Sequence, residues 1–247
     1  MDLVLIAAIG AAVGFLGGLF GKGGSAIATP LLGVVGVPPI AAVASPLPST
    51  IPGTLVAAYA YWEERLVDWR IVRWSVPIGV PATIAGAYST RWIGGSFLVV
   101  VTEIVVAALG ARVLLHPADP HEQVAVPRAL RTRMALVALV VGLLSGLLAN
   151  GGGFLLAPLY VVVLRVPIKA AFASSLVVAA ALAVPGTIVH AVLGHIDWGI
   201  VAVFAATAIP LSYVGGRVAV RTQSTRLERV YGAGLVLIGL GTLAAGL

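Results

Sequence analysis

Apolar runs follow one another along this chain with little between them. The first covers about residues 3–20, a short one covers 25–36, and three longer ones cover 39–62, 70–89 and 95–115. The same order returns as 134–149, 153–164, 168–193, 199–219 and 230–247. None shows the two-residue alternation of a barrel strand, and the longer ones approach the ~20 residues that carry a helix across a bilayer. The pattern therefore predicts an all-α, polytopic membrane protein. The short runs differ: 12 residues rise only about 18 Å, against a hydrocarbon core about 30 Å thick. They predict half-helices, either re-entrant or tilted.

Composition agrees, with 60% hydrophobic and 10% charged residues among 247, where a soluble domain carries about 25% charged. A formal charge of +6 would suit nucleic acid, but the arginines stand at the ends of apolar runs, where they mark topology instead. No nucleic-acid partner is expected. Cysteine is absent, which removes disulfides, thiolate chemistry and Cys-based metal sites. Met1 is followed by Asp2 rather than by a basic segment, so the first run is expected to stay in the mature protein.

The order of runs repeats because the residues repeat. "GFLGGLFGKGGSAIATPL" (14–31) matches "GLLSGLLANGGGFLLAPL" (142–159) at an offset of 128, and from 37 onward the offset is 129. At that offset Val37-Pro38 aligns with Val166-Pro167, Ala44-Ser45 with Ala173-Ser174, Asp68-Trp69 with Asp197-Trp198, Pro81 with Pro210 and Gly86 with Gly215. Two repeats, 1–115 and 134–247, flank a polar linker at 116–133.

Basic residues orient the repeats oppositely. Arg65, Arg70 and Arg73 crowd the connection at Asp68, whereas its counterpart "GHIDWG" has none. The turn at Val37-Pro38 carries no Lys or Arg, whereas its counterpart carries Arg165 and Lys169. Placing the basic clusters and the linker in the cytoplasm puts both termini outside the plasma membrane. Each repeat then crosses an odd number of times, giving inverted-topology repeats whose broken helices are expected to meet near the midplane.

The glycine breaks carry the candidate chemistry. A helix that starts inside the membrane leaves unpaired N–H groups, which lipid cannot satisfy and an anion can. Gly23, Gly24 and Ser25 in the first repeat, with Gly151, Gly152 and Gly153 in the second, could form two facing cradles. Lys22 and Asn150 hold equivalent places at their mouths, one adding a full charge and the other an amide. The alternative is close helix packing through spacings such as Gly14/Gly18, with Lys22 snorkelling to the headgroups.

The next span is interrupted by Pro46, Pro48 and Pro52, and its counterpart by Pro185-Gly186. Ser45, Ser49, Thr50, Ser174 and Ser175 could offer hydroxyls to an oxyanion or could repair the carbonyls that proline frees. Ser45 and Ser174 stand out by recurring in register. Asp68 and Asp197 each precede Trp and a new run, as helix N-caps beside interfacial anchors. Glu103, deep in "FLVVVTEIVVAALG", is a candidate proton-coupling carboxylate or a paired packing residue, and His190 is a weaker relay candidate.

At these residues the chain resembles the TauE/SafE family of sulfite exporters and organosulfur-anion permeases. The resemblance rests on "GFLGGLFGKGGSAIATPLL", its echo "GLLSGLLANGGGFLLAPLY", and the "VDWR" and "IDWG" segments. The prolines of "SPLPSTIPG" depart from the smoother stretch expected there. The resemblance implies a secondary carrier for a small sulfur-containing anion (sulfite, thiosulfate or an organosulfonate) working by alternating access. An anion channel, or a carrier of a non-sulfur carboxylate or oxyanion, is the alternative. No cofactor is implied, and no G-x-x-x-x-G-K-[ST] motif is present. Ser145 in "LLSG" has no evident histidine partner for hydrolysis. Lipid surrounds such a protein, protons are one option for the coupling ion, and a homo-oligomer stays open.

Overall fold

A computed structural model describes residues 2–21, 25–89, 104, 107–115, 128–148 and 153–245. Every regular element among them is a helix. In chain order these are α1 (Leu3–Leu19), α2 (Ser25–Val34), α3 (Pro39–Ala44), α4 (Pro46–Glu63), α5 (Trp69–Ser89), α6 (Arg128–Leu148), α7 (Gly153–Val162), α8 (Ile168–Val192), α9 (Trp198–Arg221) and α10 (Ser224–Ala245), with a further helical stretch over 107–115. Pro39–Glu63, Ile168–Val192 and Trp198–Arg221 are long and apolar enough to cross a membrane.

Local chemistry sets the ends. Asp197 caps α9 by accepting from the N–H groups of Gly199 (2.9 Å) and Ile200 (3.1 Å), and Asp68 accepts from Arg70 N–H at the start of α5 (2.9 Å). Both are the N-caps expected, each beside an exposed tryptophan, Trp69 or Trp198. The turns before them hold Arg65 and Gly194 at positive φ (57° and 70°). These two positions align at the repeat offset, one repeat using arginine where the other uses glycine, the residue that visits this region without strain.

The first proline-rich span bends at Ser45, which separates α3 from α4; α8 runs unbroken through Pro185. The reason is dosage. Pro46 and Pro48 remove donors from a first turn that would not use them, so they favour a new helix start, whereas one interior proline removes a single bond and at most kinks the helix. At the other boundary α6 begins at Arg128, so the end of the polar stretch expected as linker is helical.

Helices from opposite halves pack in matched pairs. The glycines of α1 lie on α9: a Cβ on Gly14 would strike the backbone of Ala208, and one on Gly18 the carbonyl of Ser212. The glycines of α6 lie on α5 likewise, Gly142 against Gly79 and Gly146 against the Thr83 carbonyl. In both pairs contacts advance together along the two chains, so the partners run parallel. Without a hydrophobic drive between helices in lipid, this backbone approach and its dispersion contacts hold the pairs together.

Two hydrogen bonds between residues distant in sequence clamp α4 and α8, one at each end of the pair. Asp197 N–H donates to Ser45 Oγ (3.1 Å) and Asp68 N–H to Ser174 Oγ (3.0 Å). Ser45 precedes α4 and Asp197 follows α8, while Asp68 follows α4 and Ser174 lies near the start of α8. The helices α4 and α8 are therefore antiparallel. At one end of the pair Glu63 meets Arg217 (3.0 Å) and Lys169 Nζ donates to Val220 O (2.7 Å). That end also gathers Arg65, Arg70 and Arg73, which flank Asp68, and Arg165, which precedes α8.

Candidate functional site

A chamber of about 30 Å3 lies where α1, α4, α8 and α9 meet, lined by Gly17 and Gly18, by Ser49, Thr50, Gly53 and Thr54, by Leu176, and by Phe204 and Ser212. It has room for about one or two waters. It sits beside the middle of the Pro39–Glu63 span. Glycine on α1 and Gly53 on α4 leave the space, since a Cβ on Gly53 would find only Ser212 Oγ at 3.6 Å.

The hydroxyls of the chamber wall turn back to the backbone. Ser49 Oγ donates to Pro46 O (2.7 Å), Thr50 Oγ1 to the same carbonyl (3.1 Å), and Thr54 Oγ1 to Thr50 O (2.8 Å). Ser212 Oγ reaches Gly53 O (2.9 Å) and Ile209 O (2.7 Å). Ser49 and Thr50 both back up the Pro46 carbonyl, the ordinary i−4 acceptor of the Thr50 N–H in α4, rather than a carbonyl that proline frees. Each hydroxyl keeps oxygen lone pairs but has committed its proton, so an anion here would need these rotors to turn.

The first glycine break lies one turn beyond this wall. Gly21, at φ +65°, packs on Phe172 and Ser175 so closely that a Cβ would stand 2.6 Å from Phe172 Cα. Ser175 Oγ donates to Gly21 O at 2.9 Å. Phe172 is four residues into α8, about 6 Å along a helix that rises about 37 Å. Gly21 thus stands nearer the arginine-rich end than the middle. Ser25 and Gly153 open α2 and α7, whose leading N–H groups have no partner within the helix. Lys22, Gly23, Gly24, Asn150, Gly151, Gly152 and Glu103 lie outside the described residues.

The remaining candidates spread out. Ser45 and Ser174 are fully buried, but each receives the N–H of an aspartate from the other half. They stand at opposite ends of the α4/α8 pair, separated by the rise from Ser174 to Val192, about 27 Å. They do not converge on one ligand. His190 lies near the far end of α8, half-buried, with its Nδ1 3.2 Å from Nδ1 of His195. Among the described residues no group of three or more His, Cys, Asp or Glu side chains could hold a metal.

Sequence reasoning missed Gly53, Thr54 and Ser212, and did not place Ser145, whose hydroxyl is buried on α6 without a hydrogen-bond partner among the described residues. A signal for the first two was present. At the repeat offset Gly53 aligns with Leu182 and Thr54 with Ala183, so the two halves differ in bulk and polarity at one place.

The family described as "Sulfite exporter TauE/SafE" matches residues 6–242. A "Probable membrane transporter protein" of Xylella fastidiosa Temecula1 is 28% identical over 97% of this chain and 94% of its own length. The "Probable membrane transporter protein YunE" of Bacillus subtilis is 24% identical over 100% of this chain and 99% of its own. MamO of Magnetospirillum gryphiswaldense, also named a probable membrane transporter protein, is 24% identical over 73% of this chain but 35% of its own length. No solved structure matches. With apolar helices, paired glycine seams and a family match from one end to the other, the chain belongs to the sulfite exporter TauE/SafE family of membrane transporters.

Proposed function

We propose that this transporter moves a small sulfur-containing oxyanion, sulfite, thiosulfate or an organosulfonate, through the α1/α4/α8/α9 chamber by alternating access. The observation that carries this reading is the chamber itself, a small void lined by glycines, hydroxyls and apolar side chains such as Val13, Leu176 and Phe204, one turn from the first break in a protein of this family. At about 30 Å3 it is too small for such an anion, which suits a closed state that must open for passage. Lys22 and the N–H groups at the start of α2 would receive the anion, with Asn150 and the start of α7 as the second cradle.

The antiparallel run of α4 and α8, which align at the repeat offset, supports inverted repeats. So does the exchange of α1 and α6 onto helices of the opposite half. The gathering of arginines at one end supports placing that end in the cytoplasm. The start of α1 then faces outward, since α1 runs parallel to α9 (Gly10 on Phe204, Gly14 on Ala208, Gly18 on Ser212) and α9 starts at Asp197, at the Ser45 end.

Flux of labelled sulfite, thiosulfate and a sulfonate into proteoliposomes, with and without a pH gradient, tests this reading. Saturable flux of one of them, reduced about 10- to 100-fold in affinity by Lys22→Ala, is expected for loss of a charged hydrogen bond. Asn150→Ala should cost less, about 2- to 10-fold. Unsaturable currents would indicate a channel, and transport of a different solute alone would refute the substrate class.

A further inference from the structure

The side of α5 turned away from the bundle carries a second feature, unrelated to the transport path. Its exposed residues, Arg70, Arg73, Trp74, Pro77, Pro81, Ile84 and Tyr88, follow helical spacing along one stripe. Charge and tryptophan stand at one end, apolar residues in the middle and tyrosine at the other, about 31 Å along the 21-residue helix. That is the profile of a face in contact with lipid from one interface to the other.

At the charged end the stripe is hollowed. Arg70, Arg73, Trp74, Pro77 and Ile78 line a groove of about 400 Å3. From the neighbouring helix α6, the Arg131 guanidinium lies 5.9 Å from the centre of the Trp74 ring, within cation–π range. The carboxylate at the groove is Asp68, 3.3 Å from Arg70 Nε, and it is already engaged in capping α5. Three guanidinium groups against one carboxylate leave the groove strongly positive.

We propose that this groove binds an anionic phospholipid of the phosphatidylglycerol type, its phosphate among Arg70, Arg73 and Arg131 and its glycerol and upper acyl chain on Trp74, Pro77 and Ile78. Charge complementarity selects the headgroup, because a zwitterionic lipid would bring its ammonium into a cluster of guanidinium groups. Guanidinium forks match phosphate oxygens in pairs. The apolar floor below them selects a lipid over free phosphate, which has no use for Pro77 and Ile78.

The test is lipid retention by the purified full-length protein in detergent, read by native mass spectrometry while phosphatidylglycerol, phosphatidylcholine or inorganic phosphate is titrated in. Phosphatidylglycerol should be retained in preference to phosphatidylcholine, and inorganic phosphate should not displace it. Each of Arg73→Gln and Arg131→Gln should weaken retention about 5-fold, and the double variant about 25-fold. Both side chains are exposed, so the fold is not at stake, and a melting curve without added lipid checks that. Equal retention of the two lipids, an unchanged double variant, or displacement by inorganic phosphate would each overturn the proposal.

Discussion

The interior of the first half and its counterpart in the second are built on one plan and filled differently. On one side, Gly17, Ser49, Thr50, Gly53 and Thr54 surround a void. At the aligned positions on the other side stand Ser145, Val178, Ala179, Leu182 and Ala183. Leu182, 1% exposed, packs its Cδ2 onto Gly79, where a Cβ would stand 2.8 Å away. A repeat that only had to fold would gain from plugging both spaces, since each unfilled space forfeits dispersion contacts. The two halves therefore differ where the proposed route would run, a difference that variants at this place can test.

The contrast can be broken most severely at the seam rather than at the void. Gly18 borders the chamber too, but its missing Cβ is demanded by the Ser212 carbonyl. Gly18→Val should prevent α1 from docking on α9, and the variant should fail to accumulate as monodisperse protein in size-exclusion chromatography. Leu182→Ala, by opening on the second side the cavity the first side already has, should cost about 2–5 kcal/mol, read as a lower melting temperature in detergent. Losing a single crossing hydrogen bond should matter least. Ser45→Ala or Ser174→Ala should cost about 1 kcal/mol each, and similar losses would show that α4 and α8 lean equally on both clamps. A much larger loss of transport than of stability in either would mean that the serine contacts substrate.

Much of this was legible in the residues. Periodic apolar runs gave the helices, Asp68 and Asp197 announced two helix starts, and Pro46 with Pro48 announced the bend at Ser45. The Gly14/Gly18 spacing pointed to close packing, and α1 uses it so, as α6 uses Gly142 and Gly146. The partners of Ser45 and Ser174 were not legible, because they lie 152 and 106 residues away in sequence and hydroxyls suit a carbonyl, an N–H or an oxyanion alike. The chamber was hidden for a related reason. Nothing local in "SPLPSTIPG" says which face of α4 meets α1 and α9, and only the alignment of Gly53 with Leu182 hinted at it.

The most direct measurement is sulfur-oxyanion flux into proteoliposomes by Gly53→Leu beside the wild type, with melting temperatures recorded for both. Giving the first half the leucine of the second should overfill a chamber that holds about one or two waters, so flux should fall to that of empty liposomes while the melting temperature falls only by an overpacking cost of about 1–3 kcal/mol and the protein stays folded. Undiminished flux through a folded Gly53→Leu protein would contradict a route between α1, α4, α8 and α9.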